Sequence, residues 1–127
     1  MAKFRTSLIT AAFAVALLAG TAAQAHPRLV SSSPAANATV ERPARIELHF
    51  NEALVGQFSG VELAMTEMPG MKMAPMKVAV DTSVGADGKT LVAVPKAALH
   101  TGTYKLDWHA VTTDTHRVNG SLSFKVQ

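Results

Sequence analysis

The segment Gly102-Thr103-Tyr104-Lys105-Leu106-Asp107-Trp108-His109-Ala110 alternates with period two, so that Tyr104, Leu106, Trp108 and Ala110 share one face and Lys105, Asp107 and His109 the other. Such alternation marks a strand half buried in an antiparallel sheet. Ile46, Leu48 and Phe50 alternate in the same way with Glu47 and His49, and Leu122, Phe124 and Val126 with Ser121, Ser123 and Lys125. Shorter candidate strands are Arg28 to Ser32, Val61 to Met65, Lys77 to Val80 and Leu91 to Val94. Between them stand turn formers: Ser33-Pro34, Asn37, Arg42-Pro43, Met68-Pro69-Gly70, Asp87-Gly88 and Thr101-Gly102. About seven short strands without a helical period predict an all-β fold, a two-sheet Greek-key sandwich or barrel of immunoglobulin-like shape. Tyr104 and Trp108 anchor its expected core. The one helix-like stretch, Lys96 to Leu99 after Pro95, is long enough for a single turn.

Outward from this β region, the first residues have the three parts of an export signal. Lys3 and Arg5 precede an apolar stretch around Ile9 to Ala19, and Ala23-Gln24-Ala25 forms an A-x-A cleavage pattern. The apolar stretch is short of the roughly 20 residues that span a bilayer. Residues 1–25 are therefore read as a cleaved signal peptide and residues 26–127 as one mature domain. Removing Lys3 and Arg5 leaves ten basic and nine acidic residues, so the overall charge of +3 falls to about +1 and no basic stripe points to nucleic acid. The chain has no cysteine. Thiolate metal chemistry is excluded, and with it a blue-copper electron-transfer centre.

Cleavage after Ala25 would make His26 the mature N-terminus. A terminal histidine offers a metal its α-amine and its ring Nδ1 together, and Pro27 has no amide N–H to extend coordination along the backbone. Further donors are expected from Asp114-Thr115-His116, since residues i and i+2 of an extended chain point the same way. One carboxylate and one imidazole, added to the amine and imidazole of His26, make an N/O set suited to tetragonal Cu(II), with nickel or zinc as weaker alternatives. Glu52, just after the Phe50 strand, is a candidate to accept a hydrogen bond from the coordinating amine and orient it. His49, His100 and His109 read as sheet or turn residues.

All five methionines of residues 26–127 fall between Met65 and Met76, in Met65-Thr66-Glu67-Met68-Pro69-Gly70-Met71-Lys72-Met73-Ala74-Pro75-Met76. Pro69, Gly70 and Pro75 predict a loop here. Clustered thioethers suit Cu(I), and unlike thiolates they form no disulfides in an oxidising compartment. Met68, Met71, Met73 and Met76 are the favoured ligands, and Met65, at a strand end, is the member expected to be structural.

Taken together, His26-Pro27, Ile46 to Phe50, Met68-Pro69-Gly70-Met71, Tyr104 to Trp108, Asp114-Thr115-His116 and Gly120 to Val126 resemble the CopC/PcoC-type copper-resistance proteins of the bacterial periplasm. The resemblance spans the whole of residues 26–127. It implies a cupredoxin-like Greek-key β-barrel with no enzymatic activity, and a role in buffering or delivering copper. It also implies a Cu(II) site from His26, Asp114 and His116 supported by Glu52, and a Cu(I) site at the opposite end from the methionines. Implied partners are an inner-membrane copper importer, a multicopper oxidase or an outer-membrane copper protein, with the chain itself a monomer. One departure is Met73, where members with this loop often carry histidine; an all-thioether loop would accept Cu(II) poorly. The enzyme alternative is a copper monooxygenase, which also uses an N-terminal histidine chelate but needs a broad, often aromatic, substrate face.

Overall fold

The computed structural model describes residues 26–127, and the expected signal peptide, residues 1–25, lies outside them. Among the described residues nine strands form two sheets: β1 (Leu29–Ser33), β2 (Thr39–Val40), β3 (Ile46–Phe50), β4 (Gly60–Met68), β5 (Met71–Val78), β6 (Val80–Val84), β7 (Thr90–Pro95), β8 (Gly102–Val111) and β9 (Arg117–Val126). One sheet has the order β1-β3-β7-β6, the other β2-β9-β8-β4-β5. The fold is thus the β-sandwich among the expected shapes, with two open sheets and no closed barrel.

The alternating strands behave as their patterns require. Ile46, Leu48 and Phe50 of β3, Tyr104, Leu106, Trp108 and Ala110 of β8, and Leu122, Phe124 and Val126 of β9 are all buried between the sheets. Their aromatic rings interlock: Phe50 meets Trp108 edge to face at 5.1 Å, and Tyr104 stacks on Phe124 at 5.5 Å. Trp108 has a further constraint. It stands directly opposite Gly120 in the β8–β9 ladder, and a Cβ at Gly120 would lie 2.6 Å from its ring.

Two expectations need correction. The methionine run is not a loop: β4 continues to Met68, Pro69-Gly70 makes the turn with Gly70 at φ 74°, and β5 returns from Met71. Pro75 fits because the ladder is irregular there. Met65 pairs with Met76 and Glu67 with Lys72, so Met73, Ala74 and Pro75 together stand opposite Thr66, a bulge on an edge strand where proline is tolerated. The stretch Lys96 to Leu99 forms no helical turn; among the described residues the one short helical turn is Gly56–Phe58, after β3.

β8 sets the distance between the two candidate sites. Its first residues, Gly102 and Thr103, lie beside Glu67 and the methionine hairpin, whereas its last, Val111, leads into Thr112 to His116. Ten extended residues place these ends about 30 Å apart.

Candidate metal centre

The chain from β8 to β9 turns through Thr112, Thr113, Asp114, Thr115 and His116. The turn closes through backbone bonds from Thr112 N to His116 O (2.9 Å) and from Thr115 N to Thr112 O (2.9 Å), with Thr115 at φ 71°. The segment is a turn and not the extended chain expected of it, and it is this turn that brings Asp114 and His116 toward each other. The His116 Nδ1–H donates to Asp114 Oδ2 at 3.0 Å, and the hydroxyl of the buried Thr112 donates to Asp114 Oδ1. The two donors, Thr112 first and His116 second, hold the Asp114 carboxyl below its usual pKa against a smaller opposing effect of burial. With Nδ1–H given to a carboxylate, a neutral His116 ring keeps the Nε2 lone pair free, the arrangement common to metal-binding histidines.

His26 reaches the same end of the sandwich through Asn51. The Asn51 amide nitrogen donates to His26 O at 3.0 Å, its oxygen accepts from Arg28 N at 2.8 Å, and its own N–H donates to Arg28 O at 3.3 Å. Two residues further on, Ala53 O accepts from Thr113 N at 3.1 Å, and Leu54 bridges to Thr112. Residues 51–54 thus join the segment that leads from His26 into β1 to the Asp114-His116 turn, and Glu52 lies between the two attachment points. Of the expected donors, Asp114 and His116 are brought into contact. Among the described residues, however, no three histidine or carboxylate side chains stand close enough to hold one metal ion. In the full chain the nitrogen of His26 belongs to the Ala25–His26 peptide bond and is not a free amine.

At the opposite end the methionines divide by burial. Met65 is 4 % exposed and part of the core, as expected of its strand position; Met73 packs against the core from β5. Met68, Met71 and Met76 are exposed at 43 %, 61 % and 53 %, unusual for apolar side chains on a well-formed hairpin. Met65, Met68 and Met76 line one open cavity of about 230 Å³, whereas Met71 and Met73 do not.

Other histidines are occupied differently. His49 hydrogen-bonds to Thr90 Oγ1 at 3.0 Å, and the His109 ring lies over Gly60. Tyr104 and Trp108, the one tyrosine and one tryptophan, are both buried and present no aromatic face. Asn51 and Thr112 were not legible as site residues: neither residue type is a usual copper ligand, and their work of tying two chain segments together depends on tertiary placement.

These features define a class: small β-sandwich proteins with nitrogen and oxygen donors at one end and exposed thioethers at the other. Within it, residues 29–127 match the CopC domain. The chain is 54 % identical over 123 residues to Copper resistance protein C of Pseudomonas syringae pv. tomato, covering 97 % of each. It is 46 % identical to Copper resistance protein C of Escherichia coli, covering 83 % of this chain and 84 % of that one. Its fold is similar to that of PcoC, a methionine-rich copper resistance protein from Escherichia coli, with TM-score 0.75 and 45 % identity over 81 % of this chain and 100 % of that chain. The chain belongs to the CopC family, as its motifs led one to expect.

Proposed function

We propose that residues 26–127, released by cleavage after Ala25, act in the periplasm as a non-enzymatic copper carrier that buffers or delivers the ion as cargo in resistance or homeostasis. Cu(II) is held at one end by the amine and imidazole of His26 with Asp114 and His116. Cu(I) is held at the other by thioethers drawn from Met65, Met68, Met71, Met73 and Met76. The copper-resistance names of the relatives support this reading. The observation that carries it is the Asp114-His116 pair, oriented by Thr112 on the end of the sandwich to which Asn51 also ties His26. Both Asp114 oxygens are hydrogen-bonded, so as a ligand Asp114 would exchange one of these partners for the metal. Glu52 would orient the new amine. The partners that would receive or supply copper are an inner-membrane importer, a multicopper oxidase or an outer-membrane copper protein, met by a monomer.

The test compares Cu(II) spin-resonance spectra of the protein beginning at His26 with those of one carrying a single extra N-terminal residue. The extension removes the amine chelate and is expected to change the spectrum and weaken binding. Identical spectra would show that the terminal amine is not a ligand.

A further inference from the structure

The cavity beneath the methionine hairpin has a second wall that the sequence does not associate with it. Along with Met65, Met68 and Met76 it is lined by Leu99, His100 and Tyr104 from the connection between β7 and β8 and from β8 itself. His100 lies 24 residues beyond Met76 in the chain, and a sequence reading makes it a turn residue beside Thr101-Gly102. Its backbone is held from both sides. Leu99 is 2 % exposed, and the Tyr104 hydroxyl donates to His100 O at 2.7 Å. The root of the imidazole is therefore fixed at the cavity while the side chain itself is exposed.

We propose that His100 supplies the nitrogen ligand of the thioether site, so that Cu(I) is held by Met65, Met68, Met76 and His100 and not by the hairpin alone. This rests on the reading of the hairpin as a Cu(I) site and specifies its ligands. Three thioethers and one neutral imidazole form a soft donor set suited to Cu(I), and the exposed Met68 and Met76 arms are flexible enough to converge on an ion at the cavity that the buried Met65 lines. Met71 and Met73 do not line this cavity, and each is a spectator to binding. The site then spans both ends of the covalent path from β4 to β8, so copper ties the hairpin to the β7–β8 connection.

The experiment uses the protein starting at His26 with His26 and His116 replaced by alanine, which disables the other end. One equivalent of Cu(I) is supplied anaerobically through bicinchoninate, and affinity is read by competition with that chelator. Copper K-edge absorption fine structure reports imidazole scattering. The expected result is one imidazole in the parent, lost in H100L, with affinity weakened at least about tenfold, the smaller end of what partners of metal ligands contribute. H100L keeps the Tyr104 bond because that bond ends on the backbone oxygen. Thermal unfolding of the copper-free H100L protein checks that the fold is intact. If H100L retains both the imidazole signal and the affinity while M68L/M76L loses binding, the His100 assignment falls and the thioether reading stands. If M68L/M76L also binds Cu(I) as the parent does, both fall.

Discussion

Replacing Gly120 with alanine tests whether the core beneath the Asp114-His116 end is as tightly filled as the geometry requires. The added methyl would sit 2.6 Å from Trp108 Cζ2 and 2.9 Å from Cε2, whereas carbon atoms in ordinary contact are about 3.5–4.0 Å apart. The ring must therefore retreat by about 1 Å. It has little room, because its edge-to-face partner Phe50 is 5.1 Å away and both rings are buried. Overpacking of this kind costs about 1–3 kcal/mol. For a domain of this size each kcal/mol lowers Tm by about 4–8 °C, so a loss of about 2 kcal/mol is a fall of about 8–16 °C. Urea unfolding followed by circular dichroism measures it, and a double-mutant cycle identifies its source. With W108L the clash is gone, so adding G120A to W108L is expected to cost less than about 0.5 kcal/mol, leaving a coupling of about 1–2 kcal/mol. An equal cost of G120A in both backgrounds would refute the clash, since the loss would then come from the backbone and not from the ring.

Two further outcomes follow from hydrogen bonds described above or adjoining them. N51A removes the donor to His26 O and the acceptor for Arg28 N, and is expected to cost about 1 kcal/mol and to speed amide exchange at Arg28; unchanged exchange there would mean that Asn51 does not tether the start of β1. Asp87, in the turn between β6 and β7, accepts from Lys89 N at 2.9 Å, from the Thr90 hydroxyl at 2.8 Å and from Thr90 N at 3.0 Å, and these bonds lower its carboxyl pKa. A carboxylate whose folded pKa is depressed stabilises the fold above the unfolded value, near 3.9 for aspartate, and loses that contribution as pH falls through the folded value. D87N is therefore expected to have a lower Tm than the parent at pH 6, with the gap closing toward pH 2; a gap independent of pH would assign the loss to something other than ionisation.

The sequence carried the sandwich well where side chains alternate. β3, β8 and the end of β9 are half-buried strands with apolar residues at every second position, and that pattern survives without knowledge of their neighbours. It failed where polar or chain-breaking residues occupy strands. β6, Val80–Val84, has Asp81, Thr82 and Ser83 at its centre because it is a sheet edge with little to bury. The second arm of the methionine hairpin reads as a loop because Pro69, Gly70 and Pro75 are breakers in isolation, yet the first two make the turn and the third sits in a bulge. The candidate donors Asp114 and His116 were legible as a pair because they are two residues apart, although a turn closed by Thr112 and not the expected extended chain joins them. Their connection to His26 runs through Asn51 and Ala53, and the approach of His100 to the methionines crosses between β5 and β8; neither is encoded within one stretch of chain.

The bulge opposite Thr66 has a consequence for solubility. β5 is an outer strand of the five-stranded sheet, and its free side would offer a neighbouring molecule a row of backbone donors and acceptors next to the greasy surfaces of Met68, Met71 and Met76. Met73 to Pro75 interrupt that row, proline withholds a donor, and Lys72 and Lys77, both exposed on β5, put charges on either side of it. A hairpin that displays soft sulfur to solvent is thereby kept from stacking into fibrils with copies of itself, and the irregular backbone that makes this stretch hard to read as a strand is what lets it remain a strand in the open.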